Sequence, residues 1–123
     1  MDTTRIRPIA ICLFRNRGRI LVSEGFDTVK QSYYYRPLGG GIEYGESSKA
    51  AVLREIQEEL DAQIENIQSV GVIENIFTYE GEQGHEIVFV FDAEFPTNRF
   101  INSTKLMVTS KKRMLDSKQN GSL

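Results

Sequence analysis

Runs of apolar and β-branched residues open the chain. The first extends from Pro8 to Asn16 (PIAICLFRN), breaks at Arg17-Gly18 and resumes from Arg19 to Phe26 (RILVSEGF), which predicts a β-hairpin. After a polar loop from Asp27 to Ser32, the aromatic stretch Tyr33 to Pro37 reads as extended, since Pro37 biases Arg36 away from helix. Glycines 39, 40 and 41 then read as a flexible turn where other groups can approach the main chain. A helix is predicted from about residue 47 to 61, capped by Ser47 or Ser48. Gln63 to Tyr79 predicts a strand with a bulge near Gly71; Glu80 to Gly84 is a turn, and Glu86 to Phe95 (EIVFVFDAEF) is a strong strand pairing antiparallel with the one before it. After Pro96 the periodicity dissolves into one apolar cluster, Leu106 to Val108, and a short helix near 110 to 117.

The predicted helix carries Glu55, Glu58 and Glu59 at spacings of three and four, so the three share a side, while Val52, Leu53, Ile56 and Leu60 are expected to cover the other. Like charges so placed repel by a few tenths of a kcal/mol per exposed pair, and more when partly buried. A divalent cation would neutralise them, and hard carboxylate oxygens suit Mg2+ or Mn2+.

Composition changes this picture little. A chain of 123 residues with 40% hydrophobic and 26% charged residues fits one domain that folds around its own core. Cys12 is the single cysteine, so no intrachain disulfide forms; its apolar surroundings predict a buried, inert thiol and a reducing, cytoplasmic setting. No apolar run has the length of a membrane span, and the short apolar segment after Arg7 does not read as a signal peptide. Charge is more informative. Residues 1–96 hold 16 acidic and 9 basic side chains, a balance of -7, whereas residues 97–123 hold one acid, Asp116, and six bases, a balance of +5. The expected division is thus a core over residues 1–96 and an atypical basic tail over 97–123, read as a solvated or associating end rather than a nucleic-acid contact.

From Gly40 the spacing is a glycine, five residues, Glu46, seven residues, and then Arg54-Glu55-Ile56-Gln57-Glu58-Glu59-Leu60-Asp61-Ala62. This resembles the box of the Nudix (MutT-like) hydrolases at every charged position; it departs at Asp61, where that family has glycine, and a small structural cost is expected there. The resemblance implies an α/β/α sandwich around a mixed β-sheet. It also implies metal-dependent hydrolysis of a phosphoanhydride bond in a nucleoside diphosphate linked to another moiety, a nucleotide pyrophosphohydrolase using Mg2+ or Mn2+. Carried over by residue, Glu58 and Glu59 are the principal metal ligands, Glu55 joins them or orients the attacking water, Arg54 holds a glutamate in place, and Glu46 is a secondary ligand or hydrogen-bond partner. Gly40 shapes the loop. Arg36 and Tyr35, with its neighbours Tyr33 and Tyr34, are candidates for phosphate and base contact, and His85 or Glu86 for facing the site. Tyr79 lies 17 residues past the box, where some members cleaving dinucleoside polyphosphates carry a tyrosine.

Many members of that family continue into a further strand and a closing helix, and residues 97–123 do not resemble such an ending. The expectation is a shortened or altered-terminus member whose uncovered sheet favours a homodimer. The competing class is a nucleotide-binding or regulatory module, or a folded remnant with little turnover.

Overall fold

The structure is a computed structural model that describes residues 4–16, 18–96 and 112–116. In chain order its elements are β1 (Arg7–Leu13), β2 (Arg15–Asn16), β3 (Arg19–Asp27), β4 (Ser32–Gly41), α1 (Ser48–Leu60), β5 (Glu65–Tyr79), β6 (Glu82–Glu94) and β7 (Lys112–Asp116). They form a seven-stranded sheet in the order β2-β3-β4-β1-β6-β5, with β7 paired to β3. Strand β1 is central, antiparallel to β4 and parallel to β6, so the sheet is mixed. This is the strand-and-helix arrangement expected of the Nudix-type sandwich, with α1 as its helix among the described residues.

Strand β4 changes partner midway. Up to Pro37 it pairs with β3, and from Leu38 to Gly41 it pairs with β1. The glycines are therefore the end of a strand and not a turn. The chain reverses later, between Ile42 and Ser47, where Glu46 N–H donates to Glu43 O at 2.9 Å. The first predicted hairpin is likewise smaller than its apolar pattern suggested: only Arg15 and Asn16 of β2 pair with β3, because β1 takes its partners from β4 and β6. The second forms as predicted, except that β6 starts at Glu82, inside the stretch read as a turn. β5 and β6 pair antiparallel along their length, with irregularities between Glu65 and Gln68 and between Ser69 and Gly71. Glu80 and Gly81, both with positive φ, make the two-residue turn that right-twisted strands favour. Residues 112–116 are a strand and not part of a helix, since pairing to residues 19–23 of β3 overrides a weak local preference. The remainder of the 97–123 tail lies outside the described residues.

Helix α1 begins where Ser47 Oγ accepts the Ala50 N–H at 3.1 Å. It buries Ala51, Val52 and Ile56 against Ala10, Cys12, Leu38, Phe91 and Ala93; each fully buried Val or Ile contributes roughly 1.5–3 kcal/mol. Leu53, expected in this face, is exposed: each residue turns the helix by about 100°, which sets Leu53 past Val52 and out toward solvent. Cys12 is fully buried, and burial pushes its thiol up to about 12, so it is inert at neutral pH. Ile9, Ile20, Val22 and Val88 are buried outside this cluster.

The tips of the β3–β4 and β5–β6 hairpins are joined. Asp27 accepts from the backbone N–H groups of Val29, Lys30 and Glu80 at 2.9, 3.1 and 3.1 Å, Lys30 Nζ donates to Thr78 O at 2.8 Å, and Glu80 accepts from both the backbone N–H and the hydroxyl of Thr28. Tyr34 and Tyr79 meet edge to face, with centroids 5.4 Å apart. These contacts fold the first half of β4 over the sheet face opposite α1.

Two predictions follow from these elements. The N–H donors around Asp27 hold its carboxyl below the ordinary value, Lys30 first among them. Its contribution is therefore present above the ordinary carboxyl range and lost as pH falls through the depressed native value. Melting temperatures across pH should show Asp27→Asn less stable than the parent at neutral pH, with the gap closing in acid; a gap independent of pH would reject this account. Asp61 caps α1 in the left-handed region (φ 52°, ψ 47°), its N–H donates to Gln57 O at 2.8 Å, and its Oδ1 accepts from Gln57 Nε2 at 2.8 Å. That conformation costs a side chain roughly 1–2 kcal/mol, partly offset by the Gln57 bond. Asp61→Gly is expected to raise stability by about 0.5–1 kcal/mol in urea titration.

Candidate active site

Arg54 is the centre of the site. From the second turn of α1 its Nε and Nη2 donate to Glu46 Oε2 and Oε1 at 2.8 and 2.9 Å, its Nη1 donates to Glu55 Oε2 at 3.0 Å, and its Nη2 also reaches Gly41 O at 3.0 Å. Glu58 stands one helical turn on, with Oε2 3.6 Å from Nη1. A planar guanidinium with five donors suits this arrangement, because one edge forks onto a carboxylate while the remaining donors reach other acceptors. Glu43 N–H adds a bond to Glu46 Oε1 at 3.0 Å. Arg54 and that backbone donor hold Glu46 down at about 2, and the bonds to Glu46 and then Glu55 raise Arg54 above its ordinary value.

Glu55 does not project away from the core. It lies on the turn of α1 between Ala51 and Ile56, only partly exposed, and its carboxylate sits against Gly40. A Cβ built on Gly40 would fall 2.5 Å from Glu55 Cδ and 2.6 Å from each of its oxygens. Glycine is needed here because the carboxylate occupies the place of a side chain. Gly39, at φ 146°, is under a separate constraint, since a Cβ there would meet Ala10 O at 2.1 Å.

Box residues Gly40, Glu46, Arg54, Glu55 and Glu58 are thus brought together. Glu58 is the most exposed of the three, with 59% of its side chain accessible against 18% for Glu55 and 17% for Glu46. Glu59 is partly buried on the same helix. Among the described residues, no three acidic, His or Cys side chains stand close enough as arranged to enclose a metal ion. The donors fit such an ion in kind: they are hard oxygens, and Arg54 is one cation facing Glu43, Glu46, Glu55 and Glu58.

The other candidates separate by face. Arg36 and Tyr34 share one face of β4, toward Glu86 and Tyr79, whereas Tyr35 points the other way and donates its hydroxyl to Glu24 Oε2 at 3.2 Å. Tyr33 lies on the Tyr35 side, edge to face with Phe26. His85 pairs with Glu74 at 3.0 Å. Glu86, by contrast, is buried and lies 3.8 Å from Arg7 Nη1. Nothing in the pattern of residues 5–8 singles out Arg7, since its partner is 79 positions away; the inward alternation of EIVFVF could have marked Glu86. Two clefts of about 440 Å3 each, one beside Arg15 and Asp92 and one beside Arg5 and His85, contain no residue of the box.

Gly40→Ala should displace the Glu55 carboxylate. The expected outcome is a fold retained by circular dichroism with turnover lowered by about tenfold or more, the cost of misplacing a reacting group by an ångström or so. Unchanged turnover would show that the Glu55 position is not required.

Residues 4–107 match the NUDIX domain family. Similar solved structures include a MutT NUDIX hydrolase from Burkholderia pseudomallei, 25% identical over 73% of this chain and 67% of that one, with a TM-score of 0.57. A NUDIX hydrolase from Nitrosomonas europaea is 14% identical over 96% of this chain and 77% of that one, with a TM-score of 0.66. The mutator MutT protein from Bacillus halodurans is 19% identical over 93% and 71%, with a TM-score of 0.61. No curated protein matches in sequence. Among the described residues no helix is long and apolar enough to cross a membrane. With the family match spanning most of its length and the box drawn together around Arg54, the chain belongs to the NUDIX family of pyrophosphate-bond hydrolases.

Proposed function

We propose that this chain cleaves the phosphoanhydride bond of a nucleoside diphosphate linked to another moiety, such as a nucleoside triphosphate, with Mg2+ or Mn2+ bound by Glu55, Glu58 and Glu59 and assisted by Glu46. The observation that carries the reading is the set of carboxylates gathered on one guanidinium over a side-chain-free stretch of backbone. Such a group lacks positive charge. A divalent ion supplies that charge, screens the diphosphate and lowers the pKa of water.

The chain's own residues then have distinct tasks. Arg54 fixes Glu46 and Glu55 so that their oxygens need little rearrangement, which is where preorganised sites gain rate. Glu58, more exposed, can turn toward a ligand at small cost. Gly40 lets the substrate-side backbone approach Glu55 without a side chain between them. Arg36, which is exposed on β4 and acts on Glu86 through space, and Gly40 are our candidates for phosphate contact. Tyr35 is turned from Arg36 and tied to Glu24, which favours Tyr34 over Tyr35 for any stacking contact. The buried thiol of Cys12 fits a reducing compartment, and we place the chain in the cytoplasm on that ground.

The test is a screen of nucleoside triphosphates, including oxidised ones, with ADP-ribose, sugar nucleotides and dinucleoside polyphosphates, in Mg2+ or Mn2+, with the phosphorus products identified. Glu58→Gln is expected to lower kcat by at least about 100-fold, the scale of a lost reacting-group interaction, with the fold intact. Metal-dependent nucleotide binding without turnover by the parent chain would instead assign it to the binding or regulatory class.

A further inference from the structure

Strand β5 ends the sheet on one side. Among the described residues its stretch Glu65–Tyr79 pairs with β6 alone, whereas the other side is closed by short strands, β2 of two residues and β7 of five. Short strands blunt a sheet edge, and so do lysine and proline along it. β5 has neither protection. It is fifteen residues long, contains no Lys, Arg or Pro, and carries only two charges, Glu65 and Glu74. Glu74 is already held by His85 of β6, with Oε2 3.0 Å from Nε2.

This edge is also apolar on both faces. Val72 stands opposite Phe89, which packs against the helix-side core, so Val72 and Ile76 share the face that carries α1; Ile73 stands opposite Val88 and shares the other face. Helix α1 packs chiefly on β4 and β1 and does not cover this end of the sheet. Val70, Val72, Ile73 and Ile76 are each more than half exposed. Single apolar residues scattered over a surface need no explanation, but four within seven positions of an unprotected edge mark a contact. A ligand laid on one face would cover only some of them. A strand added in the plane of the sheet meets both faces and pairs the open backbone N–H and C=O groups as well.

We propose that this edge binds a second copy of the chain, β5 pairing antiparallel with its counterpart about a two-fold axis at Ile73 so that the two sheets become one. Such an axis, normal to the sheet, sets residues equally distant from Ile73 opposite one another on the same face. Ile73 then meets its own copy, each Val70 meets an Ile76, and each Val72 meets a Glu74 whose carboxylate is held by His85. Other centres fit less well. An axis at Glu74 would set two carboxylates face to face, and one at Val72 would set Val70 against Glu74 and Ile76 against Gln68. With the backbone edge and the four apolar side chains covered, roughly 500 Å2 per subunit leaves water; this lower end for a specific interface predicts association in the micromolar range. No residue of the box lies on β5, so the pairing does not draw on the hydrolase reading.

Sedimentation velocity of the full chain from about 1 to 200 μM, which brackets a micromolar Kd, tests the pairing. The parent is expected to pass from monomer to dimer over this range, and a parent that stays monomeric throughout overturns the proposal. Ile73→Lys sets two like charges on the axis, and Ile76→Lys and Val70→Glu each place a charge against an apolar side chain. Each should weaken dimerisation at least about 30-fold with the circular dichroism of the parent retained. Dimerisation unchanged in both lysine variants overturns β5 as the interface. The double variant Val70→Glu/Ile76→Lys reads the register, because it sets opposite charges across the axis and should regain at least about tenfold of the affinity lost in either single variant. Positions 70 and 76 are roughly 20 Å apart on one strand, so recovery reports contact between chains and not repair of the fold. A double variant as weak as the single ones overturns the axis at Ile73.

Discussion

The fork between Arg54 and Glu46 is the constraint on which the site depends. Glu46 belongs to the segment joining β4 to α1, Arg54 lies two turns into the helix, and Gly41 O ends the strand; one guanidinium ties all three. Without it, Glu46 of the loop and Glu55 and Glu58 of the helix would be left to repel one another. With it, the loop has a fixed shape and Glu46 keeps its charge.

The glycines carry the second constraint, and they carry it at a cost to the strand. Glycine in a strand forfeits side-chain packing and loses more backbone entropy than other residues, on the order of 0.5–1 kcal/mol each. Gly39 and Gly40 are nevertheless required by crowding, from β1 backbone in one case and from the Glu55 carboxylate in the other. The chain gives up local stability where its backbone must be approached closely, which is a common pattern at functional sites. Gly41 is different: an added Cβ would meet only Arg7 Nη2, at an ordinary 3.8 Å, and the site uses its carbonyl, which accepts from Arg54.

Much of this was legible from residue order because its causes are local. The helix, its serine cap at 47 or 48, the β5–β6 hairpin and the irregularity beside Gly71 all rest on neighbours a few residues apart, and Asp61 was recognisable as standing where a left-handed turn favours glycine. The box was legible through its spacing. What escaped depends on distant partners. A triple glycine reads as a turn unless β1 is known to pair with it, KKRMLD reads as helix unless β3 is known to lie beside it, and Leu53 appears to belong to the apolar stripe until the sheet fixes which arc of α1 is covered. The division of Arg36 from Tyr35 follows from strand alternation, but only the Tyr34–Tyr79 contact says which side of β4 faces the sheet.

The exposure of the acids also orders events in the proposed reaction. Glu46 is bound at both oxygens and Glu55 at one, whereas Glu58 meets Arg54 only at 3.6 Å and is largely open to solvent. A cation arriving at this helix therefore competes least with Arg54 at Glu58, more at Glu55, and most at Glu46. Breaking the two-bond fork would also release the loop that shapes the site, so Glu46 contributes more by staying on Arg54 than by leaving it. If a cation binds here as proposed, Glu58 would be the acid freest to meet it first, Glu55 the next, and Glu46 the one that serves best by holding Arg54, so glutamates with the same chemistry would differ by the number of hydrogen bonds each already makes.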